Sequence, residues 1–128
     1  MSFQATLNVS GKKYNVLNVN YGLFQETDAT GRPSTITRGG KIDITVESTG
    51  ETDLFEWMTN SFERKDGSVV FYKRDSQATL KELKFSEAYL VKHKEKFDSV
   101  GDNPLTETFT ISARKIEMGS GAYENEWV

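Results

Sequence analysis

Cysteine is absent from the 128 residues, and histidine occurs once. The first absence excludes disulfides and thiolate zinc sites and makes the chain indifferent to the redox state of its compartment, which suits a protein made in the cytoplasm and later exported. The single His93 stands in the charged run Lys92, His93, Lys94, Glu95 and reads as a solvated surface residue. One imidazole and no thiolate argue against a transition-metal site. The carboxylates are scattered among lysines with no Asp-x-Asp-x-Asp-Gly loop, so calcium binding of the helix-loop-helix kind has no support. A basic surplus is missing too. The net charge of -3 and a pI near 5.2 argue against nucleic acid as a partner, because that needs positive surface to displace counterions from phosphates. No apolar run approaches the roughly 18 residues that cross a bilayer, so no membrane insertion is expected. The opening MSFQATLNVSGKK lacks a basic stretch followed by an apolar core. The expectation is a chain without a secretory signal, soluble at synthesis, with any export by a route that reads no N-terminal leader.

Catalytic constellations are equally scarce. Gly11, Lys12 and Lys13 lack the glycine five residues earlier that a phosphate-binding loop requires, and Gly119, Ser120 and Gly121 lack the rest of a dinucleotide fingerprint. No serine sits in a Gly-x-Ser-x-Gly elbow. Asn8, Val9 and Ser10 match a glycosylation sequon that is empty without a signal peptide. The residues therefore assign no catalytic group, no cofactor and no metal, and point away from an enzyme.

What is present is a β-forming pattern. Eight Phe and five Tyr within 36% hydrophobic content support a packed core, and the length fits one domain over 1–128 that buries roughly two thirds of its unfolded surface. Phe3, Ala5, Leu7 and Val9 alternate with polar neighbours before turn chemistry at 10–13. In the next run Leu17, Val19, Tyr21 and Leu23 share one face, opposite Asn18, Asn20 and Gly22. Ile42, Ile44 and Val46 alternate with Lys41, Asp43, Thr45 and Glu47, the period of a half-buried strand. Leu54, Trp57, Met58 and Phe62 recur at three- and four-residue steps and predict one short helix over about 53–62, with Asp53 and Glu56 at capping-box spacing. Asp66 and Gly67 signal a tight hairpin into the strand SVVFYKR.

From Ala78 to Phe97 local signals conflict. Intrinsic propensity favours helix, yet Leu83, Phe85, Tyr89 and Val91 share odd parity, and Glu87 breaks the stripe a long helix would need. The pattern favours a strand bulged near Glu87. Leu105, Phe109, Ile111 and Ala113 then face away from Thr106, Thr108, Thr110, Ser112 and Arg114. Six or so mostly antiparallel strands with one helix make a small β-barrel or sandwich, the helix at one opening.

The stretch from about Glu26 to Gly40 has no apolar residue except Ala29, Pro33 and Ile36, and it carries Arg32 and Arg38. It is long for a connection in so small a domain. Pro33 fixes its own φ and biases Arg32 toward extended geometry, so the loop projects. Two readings stand side by side: a solvated hairpin loop, or an element made to touch something.

The order of these pieces is informative. GRPSTITRGGKIDITVES (31–48), LFEWMTN (54–60), LKELKFSEAYLVKHKEKF (80–97), NPLTETFTISARKI (103–116) and YENEW (123–127) together resemble the type VI secretion tube protein family. More narrowly they resemble the Hcp-like (TssD) tube proteins of Bacteroidetes. The resemblance implies a mainly β fold, an antiparallel two-sheet β-barrel of the phage tail-tube type with one short helix, and strand for the disputed segment. It also implies a structural protein without active site or cofactor, forming six-membered rings that stack into a tube inside a contractile sheath. The tube is driven out of the cell on contraction with effectors in its lumen or at its tip, so the chain would assemble in the cytoplasm, meet sheath, baseplate, spike and effector proteins, and be secreted through the apparatus. In such proteins the extended loop reaches the adjacent ring, which makes Asp28, Arg32, Pro33, Thr35 and Arg38 the expected stacking residues. Charge then nominates the acidic tail, with Glu117, Glu124, Glu126 and Trp127, or the helix start, as the partner surface across a subunit boundary. Tyr123 and Trp127 either anchor that interface or pack over a barrel mouth. The polar faces at 18–20 and 106–114 either line the lumen or complete lateral pairing. Two rivals remain: a tube subunit of a phage or extracellular contractile particle, and a small ligand-binding β-barrel with an aromatic-lined cavity.

Overall fold

Alternation builds the first hairpin: β1 (Gln4–Val9) turns through Ser10 and Gly11, both at positive φ, into β2 (Lys12–Tyr21), pairing Val9 with Lys12 and Thr6 with Asn15. Further strands follow as β3 (Lys41–Glu47), β4 (Arg64–Tyr72), β5 (Thr79–Phe97), β6 (Leu105–Met118) and β7 (Gly121–Glu124), with helix α1 (Asp53–Thr59) between β3 and β4. This computed structural model describes residues 4–74, 76, 78–102 and 104–125; Phe3, Glu126 and Trp127 lie outside the described residues. All seven strands form one antiparallel sheet in the order β3-β2-β1-β4-β5-β6-β7, and β3 also pairs with β6, closing six of them into a barrel. Closure leaves β7 as an added strand on β6.

The core is what the strand periodicity predicts. Leu7, Ile42, Ile44, Val46, Val69, Phe85, Phe109 and Ile111 are all 0–1% exposed and fill the barrel interior. Three departures trace to bulges, which shift side-chain parity by one residue. In β2 the pairing with β3 slips between Val16 and Asn18, so Tyr14 is buried and Val16 half-buried before Val19 and Tyr21, while Leu17 and Leu23 face out. In β5 the expected bulge occurs at Glu87, whose φ is 49°. Beyond it Ala88 and Leu90 point inward, and Val91 is exposed rather than part of the core face. A second slip between Leu90 and Lys92 then turns His93 inward.

Asp66 and Gly67 form no hairpin. They lie inside β4 where its pairing with β5 slips between Lys65 and Gly67, and the Asp66 Oδ1 accepts the Glu87 backbone N–H at 2.7 Å. A Cβ on Gly67 would fall 2.4 Å from the Asn8 carbonyl oxygen and 2.6 Å from Cζ of Phe85, so glycine here admits the Phe85 ring. The dipeptide read as a turn is the far side of a bulge.

Helix α1 is shorter than expected, ending at Thr59, and Phe62 is 84% exposed beyond it. Its cap is Thr52, with no side-chain capping bond, while Thr52 Oγ1 donates to Glu56 one turn on. Asp53 is instead paired with Lys12 at 3.3 Å. Leu54 and Trp57 insert into the core, and the indole N–H donates to the Glu63 carbonyl at 2.8 Å. Beneath the helix, His93 is not solvated: its Nε2 lies 3.0 Å from Glu107 Oε1, and the two side chains are only 6% and 4% exposed. Phe55 stands edge-on over the imidazole at 6.1 Å. Glu107 occupies the inward position between Leu105 and Phe109 that the apolar pattern passes over. The Tyr14 phenol, buried nearby, is pushed up by desolvation, with the Asp53 and Glu107 carboxylates adding to the shift.

Strand direction divides the barrel into two ends. At the loop end lie the 22–40 connection, the β4–β5 connection and the β6–β7 turn; at the helix end lie the β1–β2 turn, α1 and the β5–β6 loop. Removing one member of the hydrogen-bonded pair leaves a buried polar group without its partner, so His93→Ala is expected to cost about 1–3 kcal/mol in urea unfolding. Replacing both residues with leucine costs less than either single change; additive losses would contradict the coupling. Gly67→Ala is expected to lower unfolding free energy by about 1–3 kcal/mol through overpacking against Phe85.

Candidate functional site

The long connection between β2 and β3 is a structured arm rather than a slack loop. Phe24 and Arg38 exchange backbone bonds at 2.9 and 2.7 Å, Ser34 N–H reaches the Glu26 carbonyl at 2.7 Å, and Asp28 N–H reaches the Arg32 carbonyl at 2.9 Å. Side chains bind the two legs together. Gln25 Nε2 donates to the Thr35 carbonyl at 3.1 Å, and Thr35 Oγ1 accepts the Glu26 N–H at 3.0 Å. Pro33 pairs across from Thr27 near the tip, a position that needs no N–H from it.

Asp28 makes the tip. Its Oδ1 accepts the Thr30 N–H at 2.8 Å, the Thr30 hydroxyl at 2.7 Å and the Arg32 N–H at 3.1 Å. These donors, the Thr30 hydroxyl first, hold its carboxyl below the usual Asp range. Asp28 therefore shapes the arm through Oδ1, and its lowered pKa keeps the exposed carboxylate charged. Arg32 and Arg38 are exposed with no ion-pair partner among the described residues, and the arm also exposes Glu26 and Asp28.

The arm's base is clamped at the point where β6 changes partners. Residues 106–112 of β6 pair with β3, the Ala113 N–H reaches the Gly40 carbonyl at 2.8 Å, and the Arg114 carbonyl accepts the Asn125 N–H at 2.6 Å before β7 takes over. Asn125 Nδ2 also donates to the Ala113 carbonyl at 3.0 Å, and Tyr123 OH to Asn125 Oδ1 at 2.9 Å. Gly40 has φ +97°, and a Cβ there would lie 2.5 Å from Asn125 Nδ2. Between arm and β7 is a cleft of about 600 Å³ whose walls include Phe24, Ile36, Arg38, Lys41, Tyr123 and Glu124.

The structure thus gathers Asp28, Arg32, Pro33, Thr35 and Arg38 into one arm, the first and fourth as internal supports. Glu124 shares the cleft with Arg38 and lies 3.7 Å from Arg114, while Glu117 sits beside Lys115 at 3.2 Å. Both acids are at the same end of the same barrel as the arm. Glu126 and Trp127 lie outside the described residues. Tyr123 is half-buried against the core cluster, the packing alternative of the two left open for it. Sequence reasoning missed the apolar walls Phe24 and Ile36, and it missed Lys41 and Asn125; the paired Gly39 and Gly40 were the available signal of a tight base.

The family model for hemolysin coregulated protein Hcp (TssD) matches residues 1–128. The chain belongs to that family. Hcp1 from Flavobacterium johnsoniae is 71% identical, superposes with a TM-score of 0.92 and is matched over 95% of this chain and 99% of its own. Hcp1 from Salmonella typhimurium, at 14% identity and TM-score 0.78 over 97% and 95% of the two chains, shares the fold. So does the sheath/tube terminator of an extracellular contractile injection system, at 18% identity and TM-score 0.61 over 91% and 94%. No curated protein matched the chain. As an Hcp protein the chain is a structural tube subunit of a type VI secretion system.

Asp28 gives a test of the arm. Its bonds contribute order that is complete above an ordinary Asp pKa of about 3.9 and is lost as pH falls through the lowered folded value. The Thr30 and Arg32 amide resonances are expected to titrate with a midpoint below 3.9, and Asp28→Ala to speed amide exchange at both without lowering the melting temperature of the barrel. A midpoint at or above the ordinary value would contradict the assignment.

Proposed function

We propose that the chain assembles into six-membered rings that stack head to tail, with the 22–40 arm as the stacking element and Arg32 and Arg38 as its contact residues. The observation that carries this reading is a hydrogen-bonded arm at one barrel end, ordered through Asp28 and Thr35, whose exposed Arg32 and Arg38 have no ion-pair partner among the described residues. Order without an intramolecular partner is what a docking element needs, because the entropy of fixing it is lost before contact. Ring closure then uses a different surface on each side of a subunit, as heterologous interfaces do.

In this reading the protein is non-catalytic, assembles in the cytoplasm and leaves through the apparatus, carrying effectors and meeting sheath and spike proteins. Among the described residues no helix is long and apolar enough to cross a membrane. The filled barrel supports a building block over a carrier, because Leu7, Phe85 and Phe109 occupy the interior where a ligand would sit. On charge, the partner surface of the arm is the acidic tail, with Glu117, Glu124, Glu126 and Trp127, the helix start, or another acidic surface of a neighbouring subunit.

Native mass spectrometry of the purified protein is expected to show hexamers, with stacks by negative-stain microscopy at low salt. Arg38→Glu is expected to leave hexamers and melting temperature intact and reduce stacks to single rings. A monomer at high concentration overturns the assembly, and undiminished stacks from the variant overturn the role of Arg38.

A further inference from the structure

The loop between β5 and β6 is the converse of the cleft. Its residues Phe97 and Val100 are 69% and 91% exposed, and it carries Asp98 and Asp102 with no cation between them. The turn is built: Asp98 Oδ1 accepts the Val100 N–H at 3.0 Å, and the Asp98 N–H reaches the Pro104 carbonyl at 2.6 Å, so Val100 is held at the tip. At the other end of β3, the cleft offers exposed Phe24 and Ile36 with Arg38 and Lys41, neither of which has an ion-pair partner among the described residues. Exposed large apolar side chains thus stand at both ends of one barrel, with Arg38 and Lys41 beside one set and Asp98 and Asp102 beside the other, a complementary arrangement.

We propose that the cleft between the arm and β7 receives the β5–β6 loop, residues 97–102, of a second copy in the adjacent ring. Phe97 and Val100 pack against Phe24 and Ile36, and Asp98 and Asp102 face Arg38 and Lys41. This inference rests on the stacked-ring reading and names the partner of the arm within it. The two surfaces sit beyond opposite ends of β3, Tyr21 pairing with Ile42 at one and Thr106 with Glu47 at the other, so a repeat along the strand direction brings one to the next. Such a contact never saturates itself and propagates as a filament. The sequence-stated alternatives are less well placed: Glu117 and Glu124 share the arm's own end, and Glu51 and Asp53 at the helix start are already bound to Lys12.

The absence of native cysteine makes the contact directly testable. In Ile36→Cys/Val100→Cys, oxidation of assembled tubes is expected to give a ladder of covalent multimers on a non-reducing gel, because a disulfide forms only when the two Cα atoms come within about 7 Å. The single variants, mixed, give dimers only. Tubes without a ladder, or links joining position 36 to itself, overturn this inference and leave the stacked tube standing; failure of the unmodified protein to form rings or stacks overturns the tube reading and this inference with it. A charge exchange guards against loss of packing by the substitutions. Arg38→Glu/Lys41→Glu is expected to abolish stacks, and adding Asp98→Lys/Asp102→Lys is expected to restore them. Stacks that fail to return overturn the pairing.

Discussion

The hydrogen-bonded seam along β6 is the constraint on which the rest of the molecule depends. Its edge is satisfied without a break from the Leu105 carbonyl, bound by Ser48, through β3, then Gly40, then Asn125, then β7. Each handover fixes something else. Ser48 places the start of the chain into α1, β3 closes the barrel and removes the exposed edges that an open sheet would offer, and Gly40 with Asn125 sets the exit of the arm. The arm is ordered because its root is part of the sheet.

Much of this was legible in the residues. β3 and the 109–113 stretch of β6 read correctly because an unbroken period of two needs no tertiary information, and the 71% identity to a solved Hcp1 confirms the family that the ordered segments suggested. The misreadings along the strands share one cause. A bulge moves every later side chain to the other face, and nothing in LVKHKEKF announces the slip between Leu90 and Lys92 that buries His93 against Glu107. Asp66 and Gly67 misled for a related reason: a turn-forming dipeptide also suits a bulge, and only Phe85 across the ladder decides between them. The arm was visible as a polar excursion, but its internal bonding through Asp28 and Thr35 was not, since those bonds run between positions whose pairing the sequence leaves unspecified.

The buried His93 and Glu107 pair shows the same logic at the helix end. A hydrogen-bonded polar pair sealed beneath α1 contributes little net stability, yet leaving either partner alone is costly, so it constrains how the helix seats over the barrel. The β5–β6 loop grows from the same two strands, beyond Phe97 and Leu105. The rigid barrel therefore holds the arm at one end and the apolar, acidic loop at the other in a fixed relation, which a repeating polymer requires of its subunit.

The most direct measurement of this account is cryo-electron microscopy of assembled tubes at side-chain resolution. It predicts an unchanged barrel in each subunit, the arm of residues 22–40 buried against the next ring, and the Asp28 bonds to Thr30 and Arg32 intact. Stacked rings whose arms face solvent, with contacts made elsewhere, would contradict it.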